Sequence, residues 1–94
     1  MKVSFTDRAE RDLEDILDFI AKDAPIRAES FVRELQESAL LIGETPRAFP
    51  VVGAFRSSAV RRRVHGAYLI FYRIVSGGVE ILTVAHGARG SSRP

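Results

Sequence analysis

The side chains able to do chemistry in this chain cluster late. His65 and His86 are its two histidines, and twelve of its fourteen basic residues are arginine. Arg61, Arg62 and Arg63 stand in a row, Arg73 follows, and Val84-x-His86-x-x-Arg89 closes the apolar part of the sequence. Metal-free cleavage of RNA needs a base for the 2′-hydroxyl, an acid for the leaving oxygen and cations to hold charge on phosphorus. His86 with Arg61, Arg73 and Arg89 supplies part of that set. A plainer reading makes His86 an end-of-strand residue that hydrogen-bonds main chain, because no second acid or base pairs with it. Neither histidine has a carboxylate at ligand spacing and there is no cysteine, so no metal site is expected. Nucleotide-binding glycine loops and HExxH are absent as well.

Those residues need elements to position them. Residues 61 to 89 read as strands joined by tight turns. Val60 to Val64 is one strand, turning at His65-Gly66; Ala67 to Val75 is a second, apolar on nearly both faces and therefore central. Gly77-Gly78 suits a two-residue turn into a third strand, Val79 to Ala85. Tyr68 and Tyr72 share a side of the central strand, either to stack on a partner or to fill the core. Val60 and Val64 flank the arginine run on the Arg62 side. That pattern points Arg61 and Arg63 away from the core and lets Arg62 snorkel past its edge. Phosphate binding and edge protection explain the run equally well.

Before the strands lie two amphipathic helices. Thr6 or Asp7 caps the first, whose apolar face is Ala9, Leu13, Ile16, Leu17 and Ile20. Asp23-Ala24-Pro25 separates it from the second, striped by Ala28, Phe31, Val32, Leu35, Ala39 and Ile42, with Gly43 as its C-cap. Val3 and Phe5 mark a short N-terminal strand. From Glu44 to Ser58 prolines, Gly53 and a serine pair break all periodicity, which predicts an irregular connection. The expected fold is α+β: an N-terminal strand and an antiparallel helical hairpin packed on a small antiparallel sheet, β-α-α-β-β-β. One domain is expected over 1–89, with a flexible tail at 90–94.

Charge is unevenly spread. Residues 1–44 hold 6 basic and 11 acidic side chains (−5), residues 45–94 hold 8 and 1 (+7). The C-terminal half is thus suited to an acidic partner. No apolar run approaches the roughly 20 residues of a membrane span, and the acid-rich N-terminal segment is unlike a secretory signal. A cysteine-free chain of this kind fits the cytoplasm.

The order and spacing of these features resemble the RelE/ParE superfamily of bacterial type II toxins, over about residues 3 to 89. The resemblance is carried by Ala9 to Leu13 with Ile16 and Phe19-Ile20, and by Pro25, Ala28, Phe31-Val32, Leu35, Leu41 and Pro46. It continues through Val60-Arg61, Gly66, Tyr68, Phe71-Tyr72-Arg73, Val79 to Leu82, Val84, His86 and Arg89. It implies a toxin wrapped by the extended and helical C-terminal segment of a cognate antitoxin, with operator DNA reached only through that antitoxin. It also implies one of two targets, DNA gyrase for ParE-like members or mRNA on the ribosome for RelE-like endoribonucleases. RelE-like nucleases usually place an arginine after the first tyrosine of the central strand, a tyrosine near the C-terminus and lysines around the site. Here Leu69 follows Tyr68, no tyrosine follows Tyr72, and no lysine follows Lys22. The chain is therefore more similar to ParE, an inhibitor of gyrase without a cofactor rather than an enzyme. Arg61, Arg63, Arg73, His86 and Arg89 are the expected contacts to target or antitoxin. A toxin that has lost activity and only binds antitoxin is a further possibility.

Overall fold

The computed structural model describes residues 1–88. β1 (Lys2–Phe5) leads into α1 (Asp7–Ala21) and α2 (Pro25–Leu41), and a 3-10 turn over Ile42–Glu44 follows. Then come β2 (Val51–Phe55), β3 (Ser58–His65), β4 (Tyr68–Val75) and β5 (Gly78–His86). The strands form one sheet in the order β1-β5-β4-β3-β2, with β1 parallel to β5 and every other pair antiparallel. This is the expected α+β arrangement with β4 at the centre. The helical hairpin covers one face and leaves the other open.

One strand was not expected. The stretch 44–58 contains β2, which pairs with β3 through the two-residue turn Arg56-Ser57. Both turn residues have positive φ, 51° and 67°. That geometry usually draws glycine or asparagine, yet neither occupies the turn, so nothing in the sequence marks it.

The core lies between the hairpin and the sheet. Ala9, Leu13 and Ile16 from α1 and Leu35 and Ala39 from α2 meet Tyr68, Ile70, Tyr72, Val79, Ile81 and Val84. Both tyrosines are therefore core residues. Tyr72 is wholly buried, and its hydroxyl donates to the Pro46 carbonyl, which ties the connection after α2 to the sheet. Burial pushes its phenol pKa up, against the opposing influence of Arg61 and Arg63.

α1 is positioned by two polar side chains. β1 pairs only with Gly78 to Ile81, so β5 runs on past it with an uncovered edge. Thr6, the N-cap of α1, accepts from the Ala9 N–H and donates to the Leu82 carbonyl. Asp12 accepts from the Thr83 hydroxyl and, at 3.0 Å, from the Val84 N–H. Side chains of the helix thus satisfy main-chain groups that a longer strand would have taken. Leu82 is the extra residue where β5 slips register against β4, between Phe71 and Tyr72.

Gly43 is not a helix cap. It sits inside the 3-10 turn, where a Cβ would lie 2.3 Å from the Met1 carbonyl oxygen. The close approach of β1 requires glycine there.

Candidate functional site

The arginine run is divided by the pleat. Arg61, Arg63 and His65 pair across to Tyr72, Ile70 and Tyr68, so they share the helix-covered side. Val60, Arg62 and Val64 pair with Arg73, Phe71 and Leu69 on the open side. The expected orientation is therefore reversed: Arg61 and Arg63 turn toward the core side, and Val64 is left 57% exposed. Long stems make this possible, because apolar methylenes pass over the core rim while the guanidinium finds carbonyls.

Each side chain of that row faces a different piece of chain. Arg61 Nη1 donates to the carbonyls of Phe49 at 2.7 Å and Arg47 at 3.2 Å. Arg63 Nη1 donates to the Ser38 carbonyl of α2 at 3.0 Å and lies 5.0 Å over the Phe49 ring. His65 Nε2 stands 3.9 Å from Glu34 of α2, whose other oxygen accepts from Arg27 at 3.0 Å. The Arg27 hydrogen bond is the main reason the Glu34 carboxyl is held below its usual range.

On the open side a concavity of ≈ 540 Å³ is lined by apolar Phe55, Val60, Phe71 and Leu82, with Arg8, Arg56 and Arg73 among its polar residues. Arg73 donates to Glu80 at 2.7 Å and lies 5.3 Å over the Phe55 ring. Arg56 lies over the same ring at 5.1 Å. Phe55 and Arg56 belong to the stretch that sequence reasoning read as irregular, so their place beside Arg73 was not legible.

His86 occupies the far end of the helix-covered side. Its ring meets Tyr68 edge-on at 5.1 Å, and its Nδ1 accepts from the Ala88 N–H at 3.1 Å. The main-chain reading of this histidine is thus realised. Phe19, Ile20, Arg27, Phe31 and Tyr68 line a hollow of ≈ 340 Å³ with it. Phe31 links that hollow to the row of Arg61, Arg63 and His65 through Tyr68 and His65, with centroids 5.4 and 5.9 Å away.

Among the described residues the nuclease candidates Arg61, Arg73 and His86 do not converge. Arg73 is on the open face, whereas Arg61 and His86 are on the covered one. The β5 partners of Arg73 and Tyr68 are Glu80 and His86, six positions apart, on the order of 20 Å along the strand. Arg89 lies outside the described residues. Among the described residues no three or more His, Asp or Glu side chains gather as a metal-binding group, and no helix is long and apolar enough to cross a membrane.

Comparison with known proteins agrees with this architecture. No curated protein matches the sequence. A solved structure described as the chromosomal ParDE TA system from P. aeruginosa superposes with a TM-score of 0.79 at 18% identity, covering 92% of this chain and 95% of that one. At that identity the likeness is one of fold. The family model for the ParE toxin of the type II toxin–antitoxin system, parDE, matches residues 3–90. With nearly the whole chain inside that match, this protein belongs to the ParE toxin family of type II toxin–antitoxin systems.

Proposed function

We propose that this toxin acts by docking rather than by cutting: it inhibits DNA gyrase and is neutralised by a cognate antitoxin whose acidic segment complements the basic C-terminal half. The observation that carries the reading is the separate engagement of its arginines and His86. Arg61 serves two main-chain carbonyls, Arg73 serves Glu80 on the opposite face, and His86 is about 20 Å along the sheet from Arg73. A phosphodiester transition state needs its acid, base and cations within hydrogen-bond reach of one phosphate. Residues so dispersed support recognition of a protein surface better than catalysis. The +7 balance of residues 45–94 supplies the electrostatic attraction to an acidic antitoxin.

The test is a gyrase supercoiling assay run beside a translating extract. Purified toxin is expected to block supercoiling, with relief on adding antitoxin, and to leave transcripts intact. Normal supercoiling at saturating toxin overturns the gyrase reading. Transcripts cut at ribosomal A-site codons, with cutting reduced by His86→Ala or Arg61→Ala, would establish the RelE-like endoribonuclease alternative instead.

A further inference from the structure

Two register slips shape the open face of the sheet. Val52 is an extra residue of β2 between Val51 and Gly53, and Leu82 is one of β5 between Ile81 and Thr83. Such bulges bend a strand and re-aim its side chains. Between them lies the concavity of ≈ 540 Å³, with Phe55, Val60, Phe71 and Leu82 as its floor, one from each of four adjacent strands. Gly53 stands opposite Val60 on the same side, and a Cβ there would meet nothing within 4 Å. Glycine inside a strand often marks a place where another molecule comes close to the backbone. The size and apolar lining are those of a small-molecule pocket.

The polar groups around this floor are not equally available. Thr6 accepts from the Ala9 N–H and donates to the Leu82 carbonyl, and the Thr83 hydroxyl donates to Asp12. Both hydroxyls are thus committed inside the protein. Arg8 is held by Asp12, and Arg73 gives its Nε to Glu80. Among the described residues Arg56 meets no carboxylate, and the Nη atoms of Arg73 meet no acceptor. Both guanidiniums lie over the Phe55 ring, 5.1 and 5.3 Å from its centroid. One ring therefore brings two available cations to one place.

These groups select a ligand. Three arginines and one acid, Glu80, line the concavity, so an anion is attracted and a cation repelled. A neutral polar molecule finds no free hydroxyl. A bare inorganic anion would leave the four apolar side chains uncovered. A nucleobase needs polar groups for its edges and a ring to stack on, and the two threonines and Phe55 are already engaged. An alkyl chain with one acidic head meets every requirement, and a carboxylate matches a guanidinium in bidentate geometry.

We propose that the open-face concavity binds a medium-chain alkyl carboxylate, its head between Arg56 and Arg73 and its chain over Val60, Phe71 and Leu82. This site requires neither gyrase nor antitoxin.

The probe is laurate, titrated calorimetrically into the full-length toxin below the concentration at which it self-associates. One laurate per chain is expected to bind, with amide NMR shifts at Gly53, Val60, Phe71 and Leu82 and none at Phe19 or Phe31 in the covered hollow. Removing two methylenes, as in decanoate, should weaken binding by roughly tenfold, the scale of the chain length no longer buried. Arg56→Gln should weaken it by about tenfold or more, the scale of a lost charge-assisted hydrogen bond. Gly53→Leu fills the concavity from a position with room for a side chain, and should abolish binding. Failure of laurate to bind folded toxin overturns the site, as does unchanged affinity in Arg56→Gln and Gly53→Leu. Equal binding of acetate would reveal an anion site only, and equal binding of dodecyltrimethylammonium an apolar patch only; either overturns it. Shifts centred on Phe19 and Phe31 would place the ligand in the covered hollow, with the same consequence. If a variant does not fold, the shift map of the wild-type complex decides.

Discussion

Arg61 and Arg63 on one side of β3, and Arg62 between them on the other, are the same residue with opposite employment. The outer two reach across the covered face to main-chain carbonyls of the 47–49 connection and of α2. Arg62 faces Phe71 on the open side, and its Nε is buried without a hydrogen-bond partner. Guanidiniums committed to carbonyls are scaffold, because a charged donor withdrawn from a buried acceptor leaves an unsatisfied group behind. Positive charge in a sequence therefore measures attraction at a distance, not the number of cations a partner can grip.

Removing Arg63 tests this most severely. Arg63→Ala deletes the bond to the Ser38 carbonyl and the contact with the Phe49 ring, and should cost about 2–3 kcal/mol in equilibrium denaturation. Arg62→Met should stay within about 0.5 kcal/mol of wild type, since it also removes an unsatisfied polar atom. Equal losses for the two variants would erase the distinction between the faces.

The same division explains what the sequence could and could not disclose. Helix stripes were legible because Ala9, Leu13, Ile16, Leu35 and Ala39 recur at helical spacing and all are buried. The central strand was legible because its apolar residues fill both faces. β3 misled because period-two reasoning treats valine as core and arginine as surface. The rim of a small sheet inverts that rule when carbonyls lie within reach of a long cation. β2 was hidden by Pro50 and Gly53, and its turn by Arg56 and Ser57, which adopt positive φ without being glycine. The site was less legible than the fold. Which of Arg61, Arg73 and His86 share a face depends on strand register, and the slip between Phe71 and Tyr72 is not written in any local motif.

A milder probe of the covered face is Tyr72→Phe. It keeps the ring in the core but orphans the Pro46 carbonyl, so a loss of about 1–2 kcal/mol is expected. A neutral result would mean that the connection after α2 is held without this bond.

On the open face Arg73 has a side-chain partner rather than a carbonyl, and its removal should matter less for folding. Arg73→Ala should cost about 1 kcal/mol, with Glu80→Gln adding little in that background because the pair is already broken. A loss as large as that of Arg63→Ala would make the open face scaffold as well, and would weaken its assignment to partners.

The smallest effect is at the far end of the covered row, where Glu34 receives Arg27 and faces His65. Its folded pKa lies below the usual value, chiefly through the Arg27 hydrogen bond. A depressed carboxylate contributes stability above its unfolded pKa, ~4.3, and loses that contribution as pH falls through the folded value. Glu34→Gln should therefore be slightly less stable than wild type at neutral pH, and the two should converge in acid. Because the Glu34 side chain is about half exposed, solvent and salt screen the pair, so the gap should also shrink as ionic strength rises. Denaturation midpoints of both proteins across pH 3 to 7 measure it. A gap of constant size over that range would show that Glu34 holds α2 by packing rather than by charge, and would leave the two arginines as the row's real clamps.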